Sequence, residues 1–76
     1  MSFNKLEVLF NDLQDEINDC QSDVTKFVEG NNSAGTRVRK AMQNAKALAQ
    51  QVRVEVQDQK KFLEYYHLLH LQIQQF

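Results

Sequence analysis

Residues 3–34, FNKLEVLFNDLQDEINDCQSDVTKFVEGNNSA, decide the fold. Phe3, Leu6, Phe10, Leu13, Ile17, Cys20, Val24 and Phe27 recur at alternating steps of three and four. That spacing is one apolar stripe on a helix, whereas a strand needs alternation every second residue. Leu9 and Val28 widen the stripe, and Asp, Glu, Asn and Gln fill the opposite face. The pattern predicts a helix over about 2–29. Glu29-Gly30-Asn31-Asn32-Ser33 then breaks it. Gly30 suits the left-handed position that ends a helix, and Asn31, Asn32 or Ser33 can cap the next one. A turn at 30–33 is short enough to make the two helices antiparallel neighbours.

The second helix is predicted over about 33–74. Its stripe runs Ala34, Val38, Ala41, Ala45, Leu48, Val52, weakens at Glu55 and Gln59, and resumes at Phe62, Tyr66, Leu69, Ile73 and Phe76. Alanines dominate its first half and face the Phe, Leu and Ile of the first helix, the large-against-small pairing that lets helices approach closely. With no proline and two glycines, nothing else interrupts either helix. The fold class is therefore all-α: an antiparallel, coiled-coil-like helical hairpin, one domain over 1–76, assembling into a helical-bundle oligomer.

Oligomerisation is expected for two reasons. A chain of 76 residues holds little core, and a single cysteine, Cys20, allows neither an internal disulfide nor a zinc cluster as a staple. The second helix also overhangs the first by some 15 residues, about 20 Å at about 1.5 Å per residue. That overhang, 62–76, is apolar nearly all round. Phe62, Leu63, Tyr66, Leu69, Ile73 and Phe76 are the expected contacts of a homodimer or tetramer. No run of about 18 apolar residues and no basic-then-apolar leader is present, so a cytoplasmic protein without membrane contact is expected.

Charge is segregated. Residues 1–31 hold two basic and seven acidic side chains, and residues 32–61 hold seven basic and two acidic. Such asymmetry hints at an anionic partner, although acidic and basic helices could equally pair with each other. Arg39, Lys46, Arg53 and Lys60 recur every seven residues, giving a row about 10 Å apart on the face turned from the apolar stripe. Arg37 and Lys40 stand beside it, near a helix N-terminus whose unpaired N–H groups also favour anions. This set predicts non-specific contact with a nucleic-acid phosphate backbone. The alternative is a structural or adaptor hairpin working through protein–protein coiled-coil contacts.

Nothing points to catalysis. Gly35-Thr36 lacks the spacing and the preceding strand of a phosphate loop. His67 and His70, three apart, lack further ligands beyond Glu64 and read as polar interface residues. No enzyme activity, metal, cofactor or small-molecule substrate is expected, and Cys20 reads as a small core residue.

The stretch Gly30-Asn31-Asn32-Ser33-Ala34-Gly35-Thr36-Arg37-Val38-Arg39-Lys40-Ala41 resembles the turn and second-helix start of the bacterial histone-like proteins, among them the chlamydial linker-histone-like proteins. Leu48-Ala49-Gln50-Gln51-Val52-Arg53-Val54-Glu55-Val56 is similar too, and the resemblance covers about residues 3–61. It implies a nucleoid-associated, DNA-compacting protein, with phosphate contacts from Arg37, Arg39, Lys40, Lys46 and Arg53. The chlamydial members carry a long Lys-rich tail, and an apolar segment stands in its place here. DNA binding is therefore expected to be weak per protomer and to depend on oligomerisation, which gathers basic faces together.

Overall fold

A computed structural model describes the backbone of residues 4–74 and the side chains of residues 4–68. Three helices follow one another: α1, Lys5–Asp19; α2, Gln21–Val28; and α3, Asn32–Gln74. No strand occurs among the described residues. The first two lie end to end and together run antiparallel to α3, so the chain is a hairpin about 69 Å long and 13 Å thick. Its length is that of α3, whose 43 residues extend roughly 64 Å.

Each helix end has a chemical cause. Asn4 caps α1: its backbone is extended, and its Oδ1 accepts from the Leu6 N–H at 2.9 Å. The start predicted at about residue 2 therefore moves to Lys5. At the hairpin turn, Gly30 takes φ of +109°. The Gly30 N–H donates to the Phe27 carbonyl and the Asn31 N–H to the Lys26 carbonyl, both at 3.0 Å. These are the paired bonds of a Schellman ending, which a left-handed glycine makes possible. Asn31 then caps α3, its Oδ1 accepting from the Ala34 N–H at 3.1 Å.

The single first helix expected over about 2–29 is in fact two. Cys20 (φ −91°, ψ −1°) interrupts it. The Cys20 thiol is buried and donates to the Ile17 carbonyl at 3.3 Å. Beyond the break, α2 still packs against α3.

The seam between the arms is thin. Leu9, Cys20, Ala34, Ala41 and Ala45 are the buried apolar residues. Leu6 and Leu13 on α1 and Val38, Leu48 and Val52 on α3 are half-buried beside them. The α3 side follows the expected stripe, including its weak point. Glu55 and Gln59 meet the beginning of α1, where Gln59 Nε2 donates to Asn4 Oδ1 at 2.8 Å and Lys5 Nζ lies 3.9 Å from Glu55 Oε2. Polar residues close the hairpin where α1 begins.

The α1 and α2 side does not follow the expected stripe throughout. Leu6, Leu13 and Cys20 lie in the seam as read, and the Phe27 ring rests over Gly35. Phe10, Ile17 and Val24, however, are 49%, 49% and 44% exposed. The positions next to them in the wheel, Leu9, Glu16 and Asp23, turn toward α3 instead. Glu16 Oε1 accepts from Asn44 Nδ2 at 3.1 Å, and Asp23 Oδ1 accepts from Arg37 Nε at 3.0 Å. These polar pairings rotate the arm so that half of its apolar stripe opens sideways.

Candidate nucleic-acid interface

Seven residues along a helix make almost two turns, so Arg39, Lys46, Arg53 and Lys60 stay on one side of α3 with a slow drift of about 20° per heptad. All four are exposed. The row spans three intervals of about 10 Å, roughly 30 Å in all, which is comparable to one turn of a duplex. None of the four makes an ion pair with a described residue; the ion pairs among the described residues are Lys5–Glu55 and Asp23–Arg37.

Arg37 and Lys40, read as companions of the row, are not on it. At about 100° per residue, Lys40 is turned a quarter of the helix away from Arg39, and Arg37 lies on the opposite flank. There Arg37 is held by Asp23, whose side chain is only 17% exposed, while its own remains 50% exposed. The acidic arm thus reaches one cation of α3. Asp12, Asp15 and Asp19 remain exposed on the side of α1 turned from the seam, so the hairpin has one acidic and one basic long edge.

Phe62, Leu63 and Tyr66 of the overhang are exposed. The side chains of Leu69, Ile73 and Phe76 lie outside the described residues, as do those of Phe3 and His70. Among the described residues, no three His, Cys, Asp or Glu side chains gather closely enough to hold a metal ion. No described helix is long and apolar enough to cross a membrane.

Sequence reasoning passed over the half-buried acids Glu16 and Asp23 and the N-capping Asn4. A signal for the acids existed: they extend Leu9 at seven-residue steps, although their polarity hides the register. The role of Gly35 was also missed. An alanine Cβ there would lie 2.7 Å from two carbons of the Phe27 ring, so the small residue lets α2 close onto the start of α3.

The fold and this edge define a class of small helical-hairpin protein with a one-sided row of solvent-facing cations. A family model described as Histone H1-like protein Hc1 matches residues 7–62, from the first turn of α1 past the end of the basic row. The chain belongs to this histone H1-like family. No curated protein and no solved structure gives a significant match.

Proposed function

We propose that this protein is a nucleoid-associated protein of the bacterial cytoplasm that binds DNA through its phosphates, without reading base edges. Arg39, Lys46, Arg53 and Lys60 form the principal track, and Lys40, a quarter turn from it, and Arg37, on the opposite flank, are separate phosphate contacts. The observation that carries the reading is the row itself: four cations at a seven-residue repeat, exposed and unmatched by described carboxylates, on a member of a histone H1-like family. Lys and Arg aligned in this way displace counterions from the duplex, a sequence-independent source of affinity. An anion also meets the positive end of α3, next to Arg37.

Binding is cooperative with self-association. Phe62, Leu63 and Tyr66, continued in sequence by Leu69, Ile73 and Phe76, supply an apolar overhang that joins protomers as dimers or tetramers and so gathers several weak tracks. DNA is favoured over RNA by the chain's membership of a histone H1-like family. The adaptor reading is favoured by one separate observation, the half-exposed Phe10, Ile17 and Val24, and it needs no nucleic acid.

Fluorescence anisotropy with a labelled duplex separates the two. The wild type binds at about 50 mM salt, and the variant Arg39→Glu/Lys46→Glu/Arg53→Glu, checked by circular dichroism and sedimentation, loses binding by about 100-fold or more. Equal binding by the variant refutes the assignment of the row, and no binding by a folded, assembled wild type leaves the adaptor reading.

A further inference from the structure

We infer that the turn end of the basic row holds a site for one unpaired base, in which the Phe27 ring takes the base and Arg39 takes its phosphate. The inference deepens the reading above and rests on it: the row carries the strand, and the site receives that strand where it leaves a duplex.

The site is an open depression of about 560 Å³ lined by Phe27, Asn32, Gly35, Thr36, Val38 and Arg39, a size within the range of small-ligand pockets. Its parts come from both arms of the hairpin. Phe27 lies in the last turn of α2, and the rest belong to the first two turns of α3. Because Gly35 has no side chain, the ring closes onto the α3 backbone along its Cδ2 and Cε2 side, where an alanine Cβ would lie 2.7 Å away. That contact holds the ring, yet Phe27 remains 51% exposed. Asn32, Gly35, Thr36 and Arg39 recur at steps of three and four and so share one face of α3. Arg39 stands one turn beyond Gly35, about 6 Å along the helix. It is exposed and makes no ion pair with a described residue. Among the described residues, no carboxylate lines the depression, so nothing there repels a phosphate.

An aromatic ring beside a cation, at the end of a basic track, is the combination by which proteins hold single-stranded nucleic acid. The ring offers stacking and has no donor or acceptor, so the site tolerates any base, in keeping with a track that reads no base edges. The Asn32 amide and the Thr36 hydroxyl are exposed at the rim and suit sugar or phosphate oxygens. Inside an intact duplex the base faces are already stacked, and extruding a paired base costs at least about what one stacking contact returns. Intact duplex therefore gains nothing here, whereas tails, gaps and frayed ends do. A free nucleotide is a poorer occupant than a strand. It engages Arg39 alone, and a strand continues to Lys46, about 10 Å further along α3.

Anisotropy with matched probes tests the inference: a blunt duplex, the same duplex with a short unpaired tail, and that duplex with an equally long tail of abasic sites. The two tails carry the same phosphates, so the ratio of their affinities reads the base alone. Wild type is expected to prefer the base-bearing tail by about tenfold. Phe27→Ala and Phe27→Leu, the second of which keeps an apolar side chain on Gly35, are both expected to bring that ratio near one. Photo-cross-linking of a tail bearing 5-iodouracil, mapped by mass spectrometry, is expected to mark Phe27. This readout uses the unaltered protein and stands even where a Phe27 variant fails to fold. A ratio near one in wild type, a preference that both Phe27 variants retain, or a cross-link on Phe62, Tyr65 or Tyr66 instead of Phe27 overturns the inference. So does a free nucleoside monophosphate that binds as tightly as the tailed duplex. Blunt-duplex affinity separates the two proposals: a wild type that binds the tailed duplex and ignores the blunt one overturns the row as a duplex track and leaves this site standing.

Discussion

Asn4→Ala removes a residue that serves two helices. Asn4 Oδ1 accepts from the Leu6 N–H at 2.9 Å, which satisfies a backbone donor at the start of α1. The same oxygen accepts from Gln59 Nε2 at 2.8 Å, which fastens that start to α3. Losing the cap costs about 1 kcal/mol. Losing an exposed side-chain hydrogen bond adds about 0.5 kcal/mol. The expected loss of about 1.5 kcal/mol lowers Tm by about 6–12 °C for a domain of this size. Asn4→Asp keeps both acceptor functions, gives up only the 3.5 Å donation from Asn4 Nδ2 to Gln59 Oε1, and places a negative charge at a helix N-terminus, so it stays within about 0.5 kcal/mol of wild type. Thermal and urea unfolding, followed by circular dichroism at one fixed protein concentration, measures both, since stability of an oligomer depends on concentration. A cycle with Gln59→Ala isolates the bond across the hairpin, expected at about 0.5 kcal/mol of coupling. An Asn4→Ala protein as stable as wild type, or an Asn4→Asp protein as weak as Asn4→Ala, refutes this account of how the open end of the hairpin is closed.

Gly30→Ala places a side chain at φ of +109° with nothing within 4 Å to compensate, and is expected to cost about 1–2 kcal/mol by urea unfolding. Gly35→Ala gains about 1 kcal/mol of helix propensity but drives its Cβ into the Phe27 ring. It destabilises wild type and stabilises a Phe27→Ala background, and the same sign in both backgrounds would contradict the close approach. Asp23→Asn neutralises the carboxylate that holds Arg37. It is expected to cost less than about 1 kcal/mol of stability while tightening duplex binding up to about tenfold, a pair of changes read by unfolding and by anisotropy.

The hairpin was legible because its signals are local. Gly30 followed by asparagines sets the turn, and an unbroken three-four spacing sets the helix period. The weak point at Glu55 and Gln59 was also visible, although its reason, the cap residue of α1, lies 55 positions from Gln59. The rotation of the first arm was not legible. Two interleaved seven-residue sets share that helix: Leu9, Glu16 and Asp23, and Phe10, Ile17 and Val24. Hydropathy favours the second set for the seam. The structure uses the first, because Asn44 and Arg37 offer partners to Glu16 and Asp23, a pairing between chain positions that no single helix encodes. The break at Cys20 escaped for a related reason, since no glycine or proline marks it. On the basic face, the four-residue row was legible from its repeat. The separation of Arg37 and Lys40 from it follows from the 100° step and the bond to Asp23.

The measurement closest to the central claim is duplex affinity across a salt series from about 50 to 200 mM, for wild type and for Lys46→Ala. Four phosphate contacts give log K against log salt a slope of about −3.6, which is about a 150-fold loss over that range. Removing Lys46 is expected to reduce the slope to about −2.7 and to weaken binding alike on unrelated sequences. A slope near zero, or one that Lys46→Ala leaves unchanged, would mean that the row on α3 is not where this protein meets DNA.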